Sequence, residues 1–231
     1  NISTTRYVSI KEKSDLNANI KLIPGLLKTC RFGYDGKGQH KLSNPSDLEN
    51  LNIDFSQEYI LEKIINLKKE FSIILTRYGH SIHSVYEPIE NEHENQILKY
   101  SKIPADIDDK IVSKAKDWAS IIADDLDHVG TICVEYFIDK NDNLYVNEIA
   151  PRVHNSGHLT INSYNISQFE NHIRAICGLE KQELKKIYNA RMINIIGEEI
   201  VSYRSKKYSD NEFFFDYEKK EIKANRKMGH L

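Results

Sequence analysis

Asn147-Glu148-Ile149-Ala150-Pro151-Arg152-Val153-His154-Asn155-Ser156-Gly157-His158 is the stretch on which the reading of this chain turns. It brings a carboxylate, a guanidinium, amides, a hydroxyl and two imidazoles into twelve positions. A segment that only had to pack would carry apolar residues there. Leu144 to Ala150 has the pattern of a short hydrophobic strand, so a rigid element delivers the polar groups, as sheet proteins usually do with functional side chains.

Working upstream, Val129 to Ile138 reads as a second strand, joined to the first by the hairpin signal Lys140-Asn141-Asp142-Asn143. A turn centred between Asn141 and Asp142 predicts Glu135 directly opposite Glu148 on one face. Like charges so placed are destabilising. They are tolerated when exposed, when sharing a proton or when bridged by a cation. Oxygen donors on a rigid hairpin suit Mg²⁺ better than zinc. Two solvated surface glutamates are the alternative, and the apolar neighbours Val134, Val146 and Ile149 favour the metal.

Further out, Asp108 to Leu126 has helical spacing in Ile111, Val112, Ala115, Trp118, Ala119, Ile122 and Leu126, with Asp108 as N-cap. Ser167 to Cys177 reads as a helix ended by Gly178. Near the start, Ser14 is placed to cap a short helix, and Ile20 to Lys28 reads as an apolar strand. Tyr59 to Ile65 and Phe71 to Tyr78 read as two antiparallel strands with Leu67 to Glu70 as their turn. After Lys181 the chain reads as a small strand-rich lobe with a charged tail.

Three weaker constellations accompany the central one. Gly33-Tyr34-Asp35-Gly36-Lys37-Gly38 is a glycine-rich loop whose backbone N–H groups can approach phosphate oxygens, with Lys28 and Lys37 supplying charge. Its spacing is not that of a Walker A loop. Taken alone such a loop is more often just a turn; the paired carboxylates raise its standing, because Mg²⁺ usually works with substrate phosphates. The strand Tyr59 to Ile65, with Glu70 just beyond, can present backbone groups to an adenine edge, although its composition is that of any amphipathic strand. Arg226-Lys227-Met228-Gly229-His230 is a basic cluster able to grip a phosphate or to stand as a solvated tail.

The bulk numbers exclude several classes. A chain of 231 residues has length for one large domain or two small ones, and 40% hydrophobic with 10% aromatic residues excludes disorder. A net charge of −2 offers no footprint for nucleic acid or an anionic membrane. No apolar run approaches the roughly 20 residues that span a bilayer. Cys30, Cys133 and Cys177 are distant and odd in number, so reduced thiols in a cytoplasmic protein are expected. Starting at Asn1 and stopping after Gly229-His230-Leu231, the chain reads as part of a longer polypeptide.

Four runs together resemble N5-carboxyaminoimidazole ribonucleotide synthase, an ATP-grasp ligase family of purine biosynthesis. They are Lys28 with Arg31 to Gln39, Asn147 to His158, Ile166-Ser167-Gln168-Phe169-Glu170, and Arg226 to His230. Cys30 and Lys223-Ala224-Asn225 depart from the family's pattern. The resemblance implies an α+β fold: an ATP-grasp domain of two α/β subdomains clasping ATP over residues 1–180, then part of a small β-rich C-terminal lobe over 181–231. It implies a reaction in which ATP phosphorylates bicarbonate to carboxyphosphate, whose carboxyl group passes to 5-aminoimidazole ribonucleotide. ATP and Mg²⁺ would be the cofactors, and the protein a cytoplasmic homodimer.

By the same resemblance, Lys28 contacts ATP phosphates and Tyr34, Asp35, Gly36, Lys37, Gly38 and Gln39 close over them. Glu62, Lys63, Ile64 and Ile65 hold adenine, Glu70 the ribose, and His93 lies near the nucleotide. Glu135 and Glu148 bind Mg²⁺ with Asn147 beside them. Arg152, His154, Asn155 and Ser156 line the bicarbonate and carboxyphosphate pocket, and Arg226 and Lys227 receive the ribonucleotide phosphate, with Arg152 and Asn155 also facing substrate. His154 and His158 are both candidates for the general base. Two other readings stand beside this one: another ATP-grasp carboxylase or transformylase, which the run Val153 to His158 speaks against, and a truncated, non-catalytic nucleotide-binding module.

Overall fold

The computed structural model describes residues 1–31, 33 and 38–231. The chain divides into two compact units, one of residues 1–68 with 138–146, the other of residues 69–137 with 147–231.

The first unit contains β1 (Tyr7–Ile10), α1 (Lys13–Ala18), β2 (Gly25–Thr29), β3 (Gln39–Leu42) and β4 (Tyr59–Lys63). They form an antiparallel sheet ordered β1-β4-β2-β3. Alternation along β2 and β4 turns Leu27, Tyr59 and Leu61 inward. They meet Ile10, Leu16, Leu22, Leu42 and Leu48 in one core.

Three expectations fail here for physical reasons. Helix α1 is capped by Glu12, because Asp15 accepts the Lys11 and Glu12 N–H groups while Ser14 spends its hydroxyl on Glu12. The strand foreseen from Ile20 begins only at Gly25, since Ile20–Leu22 form a 3₁₀ turn and Pro24 has no N–H for a ladder. The foreseen hairpin of Tyr59–Ile65 with Phe71–Tyr78 is absent. Both edges of β4 are occupied, by β1 and β2, and Leu67–Glu70 are strand rather than turn.

The larger sheet has nine strands: β5 (Leu67–Gly79), β6 (Ile82–Val85), β7 (Ile89–Glu94), β8 (Ile97–Ile103), β9 (Gly130–Asp139), β10 (Leu144–Ala150), β11 (Ala190–Ile196), β12 (Phe215–Asp216) and β13 (Lys227–His230). Their order is β10-β9-β5-β7-β8-β11-β13-β12, with β6 also on β5. Among the described residues four further α-helices complete the fold: α2 (Asp109–Asp125), α3 (Thr160–Ser163), α4 (Gln168–Ile176) and α5 (Glu199–Ser205). As expected, Asp108 caps α2 by accepting from Lys110 N, and α2 buries Ala115, Trp118, Ala119, Ile122 and Ala123. Helix α4 is capped by Ser167 and followed by Gly178 at φ 66°. No helix among the described residues is long and apolar enough to cross a membrane, and all three cysteines are free.

The β9–β10 hairpin differs from expectation by one residue. Asp139 N donates to Asn143 O and Asp142 N to Asp139 O, with Asp142 at φ 61°. This is a three-residue loop of the type I turn plus bulge kind. The same count places Asn147, not Glu148, opposite Glu135. Asn147 Nδ2 accordingly lies 3.5 Å from Glu135 Oε2.

Candidate active site

Glu135 stands at the centre of a cluster within the second unit. His93 Nδ1 lies 2.6 Å from Glu70 Oε2, and His154 Nε2 lies 3.6 Å from Glu135 Oε1. Burial raises the Glu135 carboxyl to about 7, and the negative charge of Glu148 adds to the rise. Glu148 is therefore close enough to be felt although the register sets it one place further on. It is exposed, as is Ile149 at 40%, whereas Val134 and Val146 are buried and Glu135 is half-buried, so the expected apolar cover holds for one carboxylate of the pair and not for the other. Burial would lower His93, but the Glu70 carboxylate outweighs it and the net shift is upward. Oxygen donors with more negative than positive charge fit a hard divalent cation.

The loop after β10 is fixed by one buried side chain. Gln168, wholly inaccessible, accepts from His154 N at 3.0 Å and donates to His154 O at 2.7 Å. Its own N–H donates to Thr160 Oγ1. The approach leaves no room at residue 157: a Cβ on Gly157 would lie 2.5 Å from Gln168 Oε1. Ser156 and His154 are brought together, with Ser156 Oγ 2.9 Å from His154 Nδ1. Arg152 is exposed and donates to Val153 O.

Beyond this loop lies a second network. Asn155 and Asn194 exchange amide hydrogen bonds of 3.0 and 2.7 Å. Tyr217 Oη lies 3.0 Å from His158 Nδ1 and 2.9 Å from His230 Nδ1. Burial first, then the neighbouring His230, His154 and Lys227, pushes His158 down to about 3. Burial alone takes His230 to about 4. Lys227 is thus within electrostatic reach of this cluster, whereas Arg226 is exposed and turns to Glu221 O. Gln168, Asn194, Tyr217 and His230 went unassigned in the sequence reading. His230 had a signal in its place in the basic run and Gln168 in the run Ile166 to Glu170, whereas Asn194 and Tyr217 act through partners distant in sequence.

In the first unit, Lys28 sits on β2 beside Gln39 of β3 and pairs with Glu62 of β4 at 2.6 Å. Lys63 N donates to Arg6 O, Lys63 O accepts from Thr5 Oγ1, and Ile64 N donates to Pro24 O. Gly38 has φ 73°, and a Cβ there would meet Thr29 Oγ1 at 2.5 Å. Tyr34, Asp35, Gly36 and Lys37 lie outside the described residues.

An antiparallel unit carrying Lys28 and Glu62, and a second unit carrying the carboxylate cluster, define a class. Residues 1–169 match the ATP-grasp domain family, and the chain belongs to it. Residues 190–231 match the C-terminal domain of phosphoribosylaminoimidazole carboxylase. The chain is similar in particular to N5-carboxyaminoimidazole ribonucleotide synthases. It is 39% identical to that of Staphylococcus aureus (strain MRSA252) over 97% of its own length, and it spans 61% of that relative. A crystal structure of an N5-carboxyaminoimidazole ribonucleotide synthetase with ADP superposes with TM-score 0.92 at 39% identity, over 99% of this chain and 62% of that one. The Aspergillus clavatus enzyme in complex with ADP and 5-aminoimidazole ribonucleotide gives 0.87 at 28% identity, over 99% and 63%.

Proposed function

We propose that this chain carries the ATP-grasp core of an N5-carboxyaminoimidazole ribonucleotide synthase, with residues 1–180 as the ATP-grasp domain and 181–231 as part of the C-terminal lobe. The observation that supports it best is the convergence of Glu70, His93, Glu135, Asn147 and His154 in one partly exposed cluster, on a chain 39% identical to such synthases.

In this reading ATP transfers its γ-phosphoryl group to a bicarbonate oxygen, giving ADP and carboxyphosphate. The exocyclic amine of 5-aminoimidazole ribonucleotide then takes the carboxyl group, releasing phosphate and losing one proton. Phosphoryl transfer needs positioning and charge neutralisation more than covalent protein chemistry. Lys28 leaves Glu62 for the ATP phosphates, the loop Tyr34 to Gln39 excludes water from carboxyphosphate, and residues Glu62 to Ile65 hold adenine. Glu70 binds the ribose, with His93 held beside it. Glu135 and Glu148 hold Mg²⁺, which when bound offsets phosphate charge. Arg152, His154, Asn155 and Ser156 enclose the anion, and Arg226 with Lys227 receives the ribonucleotide phosphate. A cytoplasmic homodimer belongs to the same reading.

The test is ADP release from Mg-ATP and bicarbonate, with and without 5-aminoimidazole ribonucleotide. Release that rises with the ribonucleotide is expected. Bicarbonate-dependent release indifferent to it would overturn the substrate assignment.

A further inference from the structure

Strands β5, β7 and β8 bury three polar side chains that the proposed reaction leaves without a role. Ser72, Asn91 and Ser101 are 0%, 5% and 1% exposed. Asn91 and Ser101 face each other across the β7–β8 ladder. Ser101 Oγ donates to Asn91 Oδ1 at 2.9 Å, and Asn91 Nδ2 donates to Ser72 Oγ at 3.0 Å. Ser72 Oγ donates in turn to Ser156 Oγ at 2.8 Å.

A hydroxyl has one proton. Ser72 spends its own on Ser156, and of the two remaining neighbours of the Ser156 hydroxyl, Cys133 Sγ at 4.0 Å and His154 Nδ1 at 2.9 Å, the imidazole nitrogen is the nearer and stronger acceptor, so the Ser156 proton is directed to it. The Ser156 backbone N–H reaches the same Nδ1 at 3.3 Å. A ring nitrogen that accepts an N–H is unprotonated, so the neutral imidazole carries its proton on Nε2. That nitrogen is the one facing Glu135 Oε1.

The same bonds decide against another use of the site. Cys133, Glu135 and His154 offer ligand atoms within 4.8 Å of one another. A metal there would take one ring nitrogen: Nδ1 is already engaged by Ser156, and binding at Nε2 would displace its proton to Nδ1, against the Ser156 N–H. The ring is held as a donor instead.

We propose that Ser72 and Asn91 are positioning residues for His154: their donor chain through Ser156 holds the imidazole in its Nε2–H form, turned toward the carboxylates around Glu135. The further step, that Nε2–H serves an anionic oxygen of bicarbonate or carboxyphosphate, rests on the proposed function. The tautomer does not. His154 then acts through Nε2 as a neutral hydrogen-bond donor and not as the base.

The experiment is a long-range ¹H–¹⁵N correlation spectrum of the labelled chain at neutral pH, with His154 assigned by its loss in His154→Gln. A single pattern of a ring protonated on Nε2 is expected. In Ser72→Ala the Ser156 hydroxyl loses its donor and is free to turn, which leaves only the long 3.3 Å Ser156 N–H contact on Nδ1, so a second population protonated on Nδ1 should appear. Asn91→Ser, which interrupts the chain one link earlier, should give the same mixture and stands in if Ser72→Ala does not fold. A wild-type ring protonated on Nδ1, or folded variants with the wild-type pattern, would overturn the proposal. No arm reads turnover, so failure here is separate from failure of the proposed reaction.

Discussion

Glu135 is held beside more negative charge than its buried surroundings offset. A bound divalent cation would relieve this, and Glu148→Gln, by taking one charge from the pair, should abolish Mg²⁺-dependent nucleotide binding in calorimetry. Unchanged binding would reduce the pair to solvent-facing carboxylates. A second residue-level effect concerns pH. His158 and His230 are depressed to about 3 and about 4 from an ordinary 6.5. A histidine whose folded value lies below its unfolded one resists the proton in the native state. Its contribution is therefore whole above pH 6.5 and is lost as pH falls from 6.5 toward 3. Urea midpoints should drop through that window, and His230→Gln should flatten the drop. A variant with the wild-type slope would mean that His230 takes no part. Of these residues the sequence shows the crowd from Asn147 to His158 but not its wiring, since Gln168, Tyr217 and Asn194 reach it only through folding.

Among the elements, β2 is one of the two interior strands of the small sheet, lying between β4 and β3, and Leu27 is wholly buried in its core. Leu27→Ala should cost about 2 to 5 kcal/mol in chemical denaturation, by lost transfer energy plus the cavity left behind. A loss well below 1 kcal/mol would mean that the core around Ile10, Tyr59 and Leu61 closes over the gap. Elements with both periodicity and punctuation were legible. Helices α2 and α4 each announce a cap, an apolar stripe and, for α4, a terminal glycine. The β7–β8 hairpin went unread because its turn is Asn95-Gln96, at φ 50° and 66°. Both residues adopt the left-handed region with no glycine to signal it. The supposed pairing of Tyr59–Ile65 with Phe71–Tyr78 failed differently: neighbours in sequence joined separate sheets, and local pattern carries no information about which edge is already occupied. Helix α5, inside the stretch read as strand-rich, is short, seven residues from Glu199 to Ser205, and its start lacks a side-chain cap.

For the molecule as a whole, the family was legible because four separated runs of residues keep their types and order, a signal that depends on chemistry rather than on any one element. A ligand that binds only the folded chain must stabilise it. Saturating Mg-ATP at a hundred times its dissociation constant should add about 2.7 kcal/mol to the unfolding free energy, read as a rise in melting temperature. An equal rise with ATP in chelator would remove the metal from the binding site. The three-residue turn Lys140-Asn141-Asp142 carries a last consequence, for how this gene can vary. Substitutions at Lys140 and Asn141 are tolerable, because both are exposed, while Asp142, at φ 61°, favours residues that enter the left-handed region. Deleting one residue is another matter. The ladder would slip by one place, an acid would take the position of the Asn147 amide opposite Glu135, and a polar contact would become a repulsion. Loop length there acts as a reading frame for charge, and insertions or deletions should be purged from this hairpin far more strictly than exchanges of side chain.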